Sequence, residues 1–196
     1  MPRMTRKRFD ENGSAEKDRT GPAALKEPPA GARRKEKMSE ANKETIRRFV
    51  AEAFVQGKVE VVDEIYSEQY FDHSLHHAQL WGIGPDREGF KQLVRMVIGG
   101  LSGLEAEVDL MVAEDDFVAA RVLAKGIHSG PYMGIPPTGN LIELSDWHYW
   151  RFGVNGQIVE HWNQYNALEV MQQLGVIPQL PGPDTGPEPA ARDHGH

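Results

Sequence analysis

Residues 126–162 read GIHSGPYMGIPPTGNLIELSDWHYWRFGVNGQIVEHW and decide the predicted fold. Two segments with strand-like alternation flank a loop rich in Gly and Pro, and Asn155-Gly156 predicts a tight hairpin before a last strand. Polar and ionisable side chains occur inside these strands, in phase with apolar ones. A sheet that only closes a hydrophobic core has little use for this pattern, so the pattern indicates a sheet that lines a pocket.

The segments around this stretch predict helices first and strands afterwards. Apolar residues at helical spacing predict one helix that begins at Ser39 and another that Asp86 caps, with a short strand at residues 70–73 between them. From Glu105 onward the apolar period is two residues, which indicates four strands, and Asn166 would cap a last short helix. Runs of helix followed by runs of strand favour an α+β fold with a mostly antiparallel sheet.

The chain divides by composition into three parts. We expect residues 1–38 to be a disordered basic extension, residues 39–177 to form one domain, and residues 178–196 to be a Pro-rich tail. The extension holds eleven Lys and Arg against six Asp and Glu, whereas the whole chain of 196 residues has a formal charge of -7. The domain is therefore acidic, which argues against nucleic-acid binding; the extension could still be an arm for an acidic partner.

The absence of cysteine excludes disulfides, thiolate zinc sites and cysteine catalysis, and it fits a reducing compartment. No apolar run approaches the roughly 18 residues that span a bilayer. The basic, polar N-terminus also lacks the apolar segment of a secretory signal. We therefore expect a cytoplasmic protein that does not bind membranes.

Strand periodicity places two ionisable side chains on one face. The more apolar face of the segment 141–152, which we assign to the interior, carries Asp146 and His148. Burial raises the pKa of an Asp and lowers the pKa of a His, and a neighbouring opposite charge has the reverse effect on each. Such a pair suits proton transfer near neutral pH, although a hydrogen-bonded pair with a purely structural role has the same pattern.

Further candidates lie near the ends of strands. Small residues on one face of the segment 117–128 leave volume for a ligand, and His128 ends that face, where it could also be simply exposed. In the last strand, periodicity leaves open whether Trp162 or its neighbours His161 and Asn163 face inward.

The residues His73, His76 and His77 form a histidine cluster. On a helix, the first and last of them would share a face and could bind zinc. The flanking residues instead indicate a strand that enters a loop. We therefore expect no metal site here, with His73 at the mouth of the pocket and the other two histidines solvated.

Several segments resemble one known family: GIHSG (126–130), GIPPTG (134–139), IVEHW (158–162), Leu174-Gly175 and, in the helical half, YFDH (70–73). They are similar to the SnoaL-like polyketide cyclase family, also described as predicted ester cyclases, within the nuclear transport factor two-like superfamily. The resemblance covers roughly residues 40–177. It says little about the substrate, because this superfamily hosts many different activities.

The resemblance implies a cone-shaped α+β barrel, in which helices pack on a curved, mostly antiparallel sheet around a deep apolar pocket. It also implies a homodimer, no cofactor, and an intramolecular aldol closure of an apolar carbonyl compound, with proton transfer by an acidic residue. The family pattern after the last strand is His-Trp-Asp, with a second Asp three residues later. Here Asn163 and Asn166 stand at these positions, and an amide cannot act as a general acid or base near pH 7.

Because of this departure, the proton-transfer role would pass to the strand pair. We predict His148 as the general base or acid and Asp146 as the residue that orients it and tunes its pKa. His73 or His128 would assist, and His128 would also contact the substrate.

The same interpretation assigns the substrate contacts. Asn163 would donate a hydrogen bond to a substrate oxygen, and Asn166 would either contact the substrate or cap a helix. The aromatic walls would come from Trp81, Trp150, Trp162 and Tyr165. Two classes of function follow: an enzyme that catalyses cyclisation, isomerisation or hydration by proton transfer, or a non-catalytic small-molecule-binding or dimerisation module on the same fold.

Overall fold

The computed structural model describes residues 30–74 and 82–178 of the chain. In chain order, its elements are α1 (Ala30–Phe49), a π-helical turn (Val50–Val55), α2 (Val61–Ile65), β1 (Tyr66–Asp72), α3 (Arg87–Gly100), β2 (Leu101–Glu114), β3 (Phe117–His128), β4 (Leu141–Phe152), β5 (Ile158–Gln164) and α4 (Ala167–Gln173). No helix within these residues is long and apolar enough to cross a membrane.

The five strands form one curved sheet in the order β1-β5-β4-β3-β2. The strands β2 to β5 are antiparallel neighbours in chain order, which confirms the predicted meander. Strand β1 lies parallel to β5 at one edge. Shifts of register after Ser102 and after Val108 mark irregularities in β2, and bulges of this kind bend a strand. The sheet stays open between its edge strands, and the fold is of the predicted α+β class.

Helices α1 and α3 pack on the inner face of the sheet. Ile46 and Phe49 of α1, Phe90 and Val94 of α3, and Trp150 of β4 are nearly inaccessible to solvent and belong to one hydrophobic cluster. The rings of Phe49 and Phe90 lie 5.8 Å apart, a distance at which aromatic pairs attract each other. This cluster forms one side of the cavity described below.

The turn before α3 depends on a close approach of two backbone segments. The Asp86 Oδ1 atom accepts a hydrogen bond from the Gly89 N–H at 2.8 Å, which confirms Asp86 as the N-cap. A Cβ atom at Gly89 would lie 2.0 Å from the carbonyl oxygen of Gly84, so only glycine fits. The same turn holds the end of β1, because the Asp72 N–H donates to the Pro85 carbonyl at 2.7 Å.

The start of α1 differs from the prediction. The helix begins at Ala30 rather than at Ser39, so residues 30–38, which we expected to be disordered, are helical. This segment reads AGARRKEKM, and its Ala, Arg, Lys and Glu are strong helix formers that extend a helix without an apolar stripe. The proposed extension and tail otherwise stay predictions, because residues 1–29 and 179–196 lie outside the described residues.

Two strands also begin earlier than predicted. Strand β1 begins at Tyr66 rather than at Tyr70, and β2 begins at Leu101 rather than at Glu105. Both segments pair with a neighbouring strand, and pairing in a sheet overrides weak local preferences.

The inner and outer faces of the strands follow the predicted alternation. In β4, Ile142 and Trp150 are buried, whereas Leu141 is 50% exposed. In β3, the small residues of the predicted inner face, such as Val118 and Ala120, are buried. The inner face of the sheet is therefore the one assigned from the sequence.

We expect the two faces of β4 to differ sharply in their contribution to stability. Ile142→Ala should lower the free energy of unfolding by about 2–5 kcal/mol, because it leaves a cavity in a closed core. Leu141→Ala, on the outer face, should change it by less than about 1 kcal/mol. Urea denaturation of both variants measures the difference, and equal losses would contradict the assignment of faces.

Candidate active site

A cavity of about 140 Å³ lies between the helices and the inner face of the sheet. Its wall is mostly apolar, and the π-helical turn, α3, β2 and the loop 129–140 all contribute side chains. Examples of these apolar lining residues are Phe54, Leu93, Met96, Val97, Leu104 and Met133. Single turns of π-helix occur often at functional sites. A few polar side chains of the strands also reach the cavity, and they group at two places.

The first polar group is a chain of three side chains on three neighbouring strands. The Oδ2 atom of Asp72 in β1 lies 2.8 Å from Nδ1 of His161 in β5. The Nε2 atom of His161 lies 3.0 Å from Nδ1 of His148 in β4. The strand register brings them together, because Asp72 pairs with His161 across β1 and β5, and His161 pairs with Trp150 across β5 and β4.

Asp72 is the ionised end of this chain. Burial alone would raise the pKa of Asp72, but the charge and hydrogen bond of His161 lower it. The Ser74 N–H and the Tyr70 hydroxyl also donate to this carboxylate, both at 2.8 Å, and the pKa stays below its ordinary value. An ionised carboxylate only accepts hydrogen bonds, so the proton between it and His161 lies on Nδ1 of His161.

His148 is the other end of the chain, and all three of its members line the cavity. Burial, together with the nearby His161, lowers the pKa of His148 to about 3, so its ring is neutral at pH 7. The ring stacks on Trp150 at a centroid distance of 5.1 Å, which fixes its plane. A neutral His148 can donate from Nδ1 to His161 and keep a lone pair on Nε2, or accept at Nδ1 and carry the proton on Nε2.

The second polar group surrounds Asp146, two residues before His148 on the same face of β4. Its Oδ1 atom is buried and has no hydrogen-bond partner among the described residues. Burial raises the pKa of Asp146 to about 7. Tyr132 of the loop 129–140 and Tyr165 after β5 also line the cavity, and burial followed by the charge of Asp146 raises the pKa of both hydroxyls.

The orienting residue of His148 differs from the prediction. We expected Asp146 to orient it, but His161 makes the hydrogen bond to its ring, with Asp72 behind. Neither Asp72 nor His161 was proposed from the sequence. The only signal was that each lies at the end of a predicted strand within a family-like segment, YFDH or IVEHW.

Three of the predicted contact residues reach the cavity. Trp150, Asn163 and Tyr165 line it, and this decides the open question about β5, because Asn163 and His161 face inward. Trp162 faces outward and stacks on His73 with ring centroids 4.4 Å apart and planes 2° apart. The cavity lining includes neither of these two rings, so the structure does not bring His73 to His148.

Two other predicted site residues, His128 and Asn166, make hydrogen bonds within the protein and do not reach the cavity. His128 is buried rather than exposed, and its Nδ1 lies 3.0 Å from the Thr138 hydroxyl at the base of the loop 129–140. Asn166 caps α4, where its Oδ1 accepts from the Glu169 N–H at 3.3 Å. The cavity lining includes neither His128 nor Asn166.

The remaining predictions concern residues 75–81, which lie outside the described residues. They include Trp81 as an aromatic wall and His76 and His77 as solvated residues. Within the part of the chain that the structure describes, no group of three or more His, Asp or Glu side chains is placed to hold a metal ion.

Comparison with known proteins identifies close structural relatives. A sequence model of the family described as SnoaL-like polyketide cyclase matches residues 44–174. The chain is 31% identical to IdmH, a candidate polyketide cyclase from Streptomyces antibioticus, with a TM-score of 0.59 over 68% of this chain and 98% of that one. It is 25% identical to AclR, a candidate hydroxylase from Streptomyces galilaeus, with a TM-score of 0.60 over 73% and 86%.

A candidate SnoaL-like polyketide cyclase from Jannaschia sp. CCS1 shares the fold at 21% identity, with a TM-score of 0.62 over 72% of this chain and 96% of that one. No curated protein sequence matches the chain. The family match confirms the resemblance found in the sequence segments.

The raised pKa of Asp146 predicts a pH-dependent stability. The unfolded chain releases this proton near pH 4 and the folded protein near pH 7, so between these values the folded state holds more protons and its stability falls as pH rises. Asp146→Asn removes the titration and should be more stable than the wild type at pH 8 by on the order of 2–4 kcal/mol. The two should converge near pH 4.

Urea denaturation at several pH values between 4 and 9 measures this difference. Glu107→Gln is the matched control, because Glu107 is an exposed carboxylate of β2, and it should follow the wild-type pH dependence. A constant difference between Asp146→Asn and the wild type at all pH values would contradict the assignment.

Proposed function

Because the chain belongs to the SnoaL-like polyketide cyclase family, we propose that it is a small-molecule enzyme that moves protons within an apolar carbonyl compound. The reaction is of the cyclase or isomerase type. The observation that carries this proposal is the chain from Asp72 through His161 to His148, which leads from a buried carboxylate into an apolar cavity.

His148 serves as the general base of this reaction. Its Nε2 takes a proton from the carbon next to the substrate carbonyl, and the electron pair of the broken C–H bond forms an enolate. The step starts from a neutral His161, whose single proton lies on Nδ1 toward Asp72. The proton on Nδ1 of His148 passes at the same time to the free Nε2 of His161 across the 3.0 Å hydrogen bond. The positive charge therefore comes to rest beside the Asp72 carboxylate rather than on His148, whose low pKa makes a charge on its own ring costly.

The second half of the reaction returns the proton. In a cyclisation, the enolate carbon attacks a second carbonyl of the same molecule and a C–C bond forms, while the new alkoxide takes the proton back from His148. In an isomerisation, the proton returns to a different carbon. Both steps balance without a redox partner, so we expect no cofactor.

Asn163 binds the substrate and takes no part in the proton transfer. Its amide lines the cavity beside the chain, because Asn163 pairs with His148 across β5 and β4. In a cyclisation, an amide N–H donor in this place would stabilise the oxygen of the second carbonyl, the one that is attacked, as negative charge develops on it. The histidine chain thus takes the role that the family assigns to a carboxylate at this position.

One observation favours a second candidate function. Amides at positions 163 and 166 would leave the family reaction without its usual carboxylates, and an apolar cavity binds ligands without any turnover. This alternative is a non-catalytic ligand-binding module on the same fold.

Exchange of hydrogen for deuterium next to a carbonyl tests the proposed base directly. The wild type should accelerate this exchange in small aryl ketones above the rate in buffer, as measured by NMR. His148→Gln should lower the enzymatic rate by about 10²–10⁴-fold, because it removes the general base. Asp72→Asn should also lower it, because His161 then loses its charge partner.

Tyr149→Phe is the matched control for these variants. Tyr149 lies next to His148 on β4 but on the outer, exposed face, so exchange should stay at the wild-type rate. Exchange that His148→Gln leaves unchanged would contradict the proposed base. Ketones that raise the melting temperature of the wild type without any exchange would favour the binding module.

The homodimer and the cytoplasmic location stay predictions. The outer face of β4 supports a dimer, because Trp147 and Tyr149 are 40% and 41% exposed there. Sedimentation should give about twice the 21.9 kDa of one chain, and Trp147→Arg should lower that mass toward the monomer. A monomeric wild type at micromolar concentration would contradict this proposal.

A further inference from the structure

We propose that the cavity binds an uncharged carbonyl compound with its oxygen at the Asp146 carboxyl, and that it rejects the same skeleton when it carries a carboxylate. This inference deepens the proposed function, on which it rests for the choice of a carbonyl compound. It assigns the charge class of the substrate and the place of its oxygen.

An unsatisfied carboxyl oxygen supports this assignment. The Oδ1 atom of Asp146 is buried without a hydrogen-bond partner among the described residues. A buried polar atom of this kind costs about 1–3 kcal/mol unless a partner arrives. The side chain lines the cavity, so a ligand is in a position to supply that partner. A protonated carboxyl donates one hydrogen bond, and a carbonyl oxygen is its natural acceptor.

The charge of the cavity also favours an uncharged ligand. None of its described lining residues is Lys or Arg, and two of them, Asp72 and Asp146, are carboxyl groups. Asp72 is ionised and already accepts hydrogen bonds from Tyr70, Ser74 and His161. A ligand carboxylate would therefore lose its hydration and meet a like charge without gaining a cationic partner.

The surroundings of Asp146 favour its protonated form. Its titratable neighbours in the wall are His148 on the same strand, Tyr132 from the loop 129–140, Tyr165 after β5, and the pair of Asp72 on β1 and His161 on β5. No cationic neighbour lowers the pKa of the Asp146 carboxyl, and burial raises it to about 7. Asp146 can therefore carry a proton at neutral pH and donate it in a hydrogen bond to a ligand oxygen. A bound carbonyl oxygen would stabilise this protonated form.

The spacing along β4 places Asp146 close to the proposed base. Asp146 and His148 are two residues apart on one face, so their Cα atoms are separated by about 6.6 Å. A carbonyl oxygen at Asp146 then leaves the neighbouring carbon within reach of His148, the proposed base.

The size of the cavity limits the ligand. Its volume of about 140 Å³ is close to that of an apolar cavity of about 150 Å³ that holds one benzene ring. The enclosed part therefore takes a single ring with a short carbonyl substituent, and larger ligands must extend outward.

Two ligands of equal size test the inference without any turnover. Acetophenone and benzoate share the ring and the same number of non-hydrogen atoms, but only benzoate is charged between pH 6 and pH 8.5. Ligand-observed NMR titrations of the wild type should give a Kd for acetophenone at pH 6 at least about 10-fold lower than that for benzoate. For acetophenone, Kd should rise by about 10-fold from pH 6 to pH 8.5, as Asp146 loses its proton.

Two variants connect the effect to Asp146. Asp146→Asn keeps an N–H donor and loses the titration, so its acetophenone affinity should be independent of pH. Glu107→Gln should keep the wild-type pH dependence. Circular dichroism checks that both variants are folded.

Benzoate binding as tight as acetophenone binding, or wild-type affinity that does not change with pH, would overturn the inference. Failure of the proposed function has a different signature. In that case acetophenone binds as described, but its hydrogens exchange no faster than in buffer and His148→Gln has no effect.

Discussion

The parallel pairing of β1 with β5 is the constraint on which the site depends. It connects the helical half of the chain to the meander and places Asp72 against His161 in the interior. Both side chains are only 3% exposed, and their hydrogen bond of 2.8 Å is supported by donors from Tyr70 and Ser74. A buried charge is tolerated only when it is paired and hydrogen-bonded, so this pair orders the edge of the sheet as well as the site.

The two carboxyl groups of the cavity have opposite electrostatic environments. Asp72 has a histidine and two further donors, which hold its pKa low despite burial. The pKa of Asp146 is shifted by burial alone, which raises it to about 7. One apolar space thus contains an ionised carboxylate that stabilises a positive charge on a histidine and a carboxyl that can hold a proton. Pairs of groups whose pKa values are separated in this way are typical of acid–base catalysis.

Much of the fold was predictable because it depends on local patterns. The alternation in β3 and β4 predicted which side chains face inward, and Asn155-Gly156 and Asp86 marked a hairpin and a helix start. The placement of Asp146 and His148 on the inner face followed from the same period. The partner of His148 was not predictable, because His161 lies on another strand whose inward face the alternation left open, and Asp72 precedes it by 89 residues.

The sequence by itself determined the family, the α+β class, the apolar inner face and the two ionisable side chains on β4, because each of these follows from neighbouring residues or from recognisable segments. Only the tertiary structure decided that Asp72 and His161 complete the chain to His148, that His73 and Trp162 face away from the cavity, and that the Oδ1 atom of Asp146 has no hydrogen-bond partner among the described residues. The physical reason is that these facts depend on the register of β5 with its neighbours β1 and β4 and on the packing around the cavity. That register is set by the packing of the whole sheet against the helices and has no local signature in the chain.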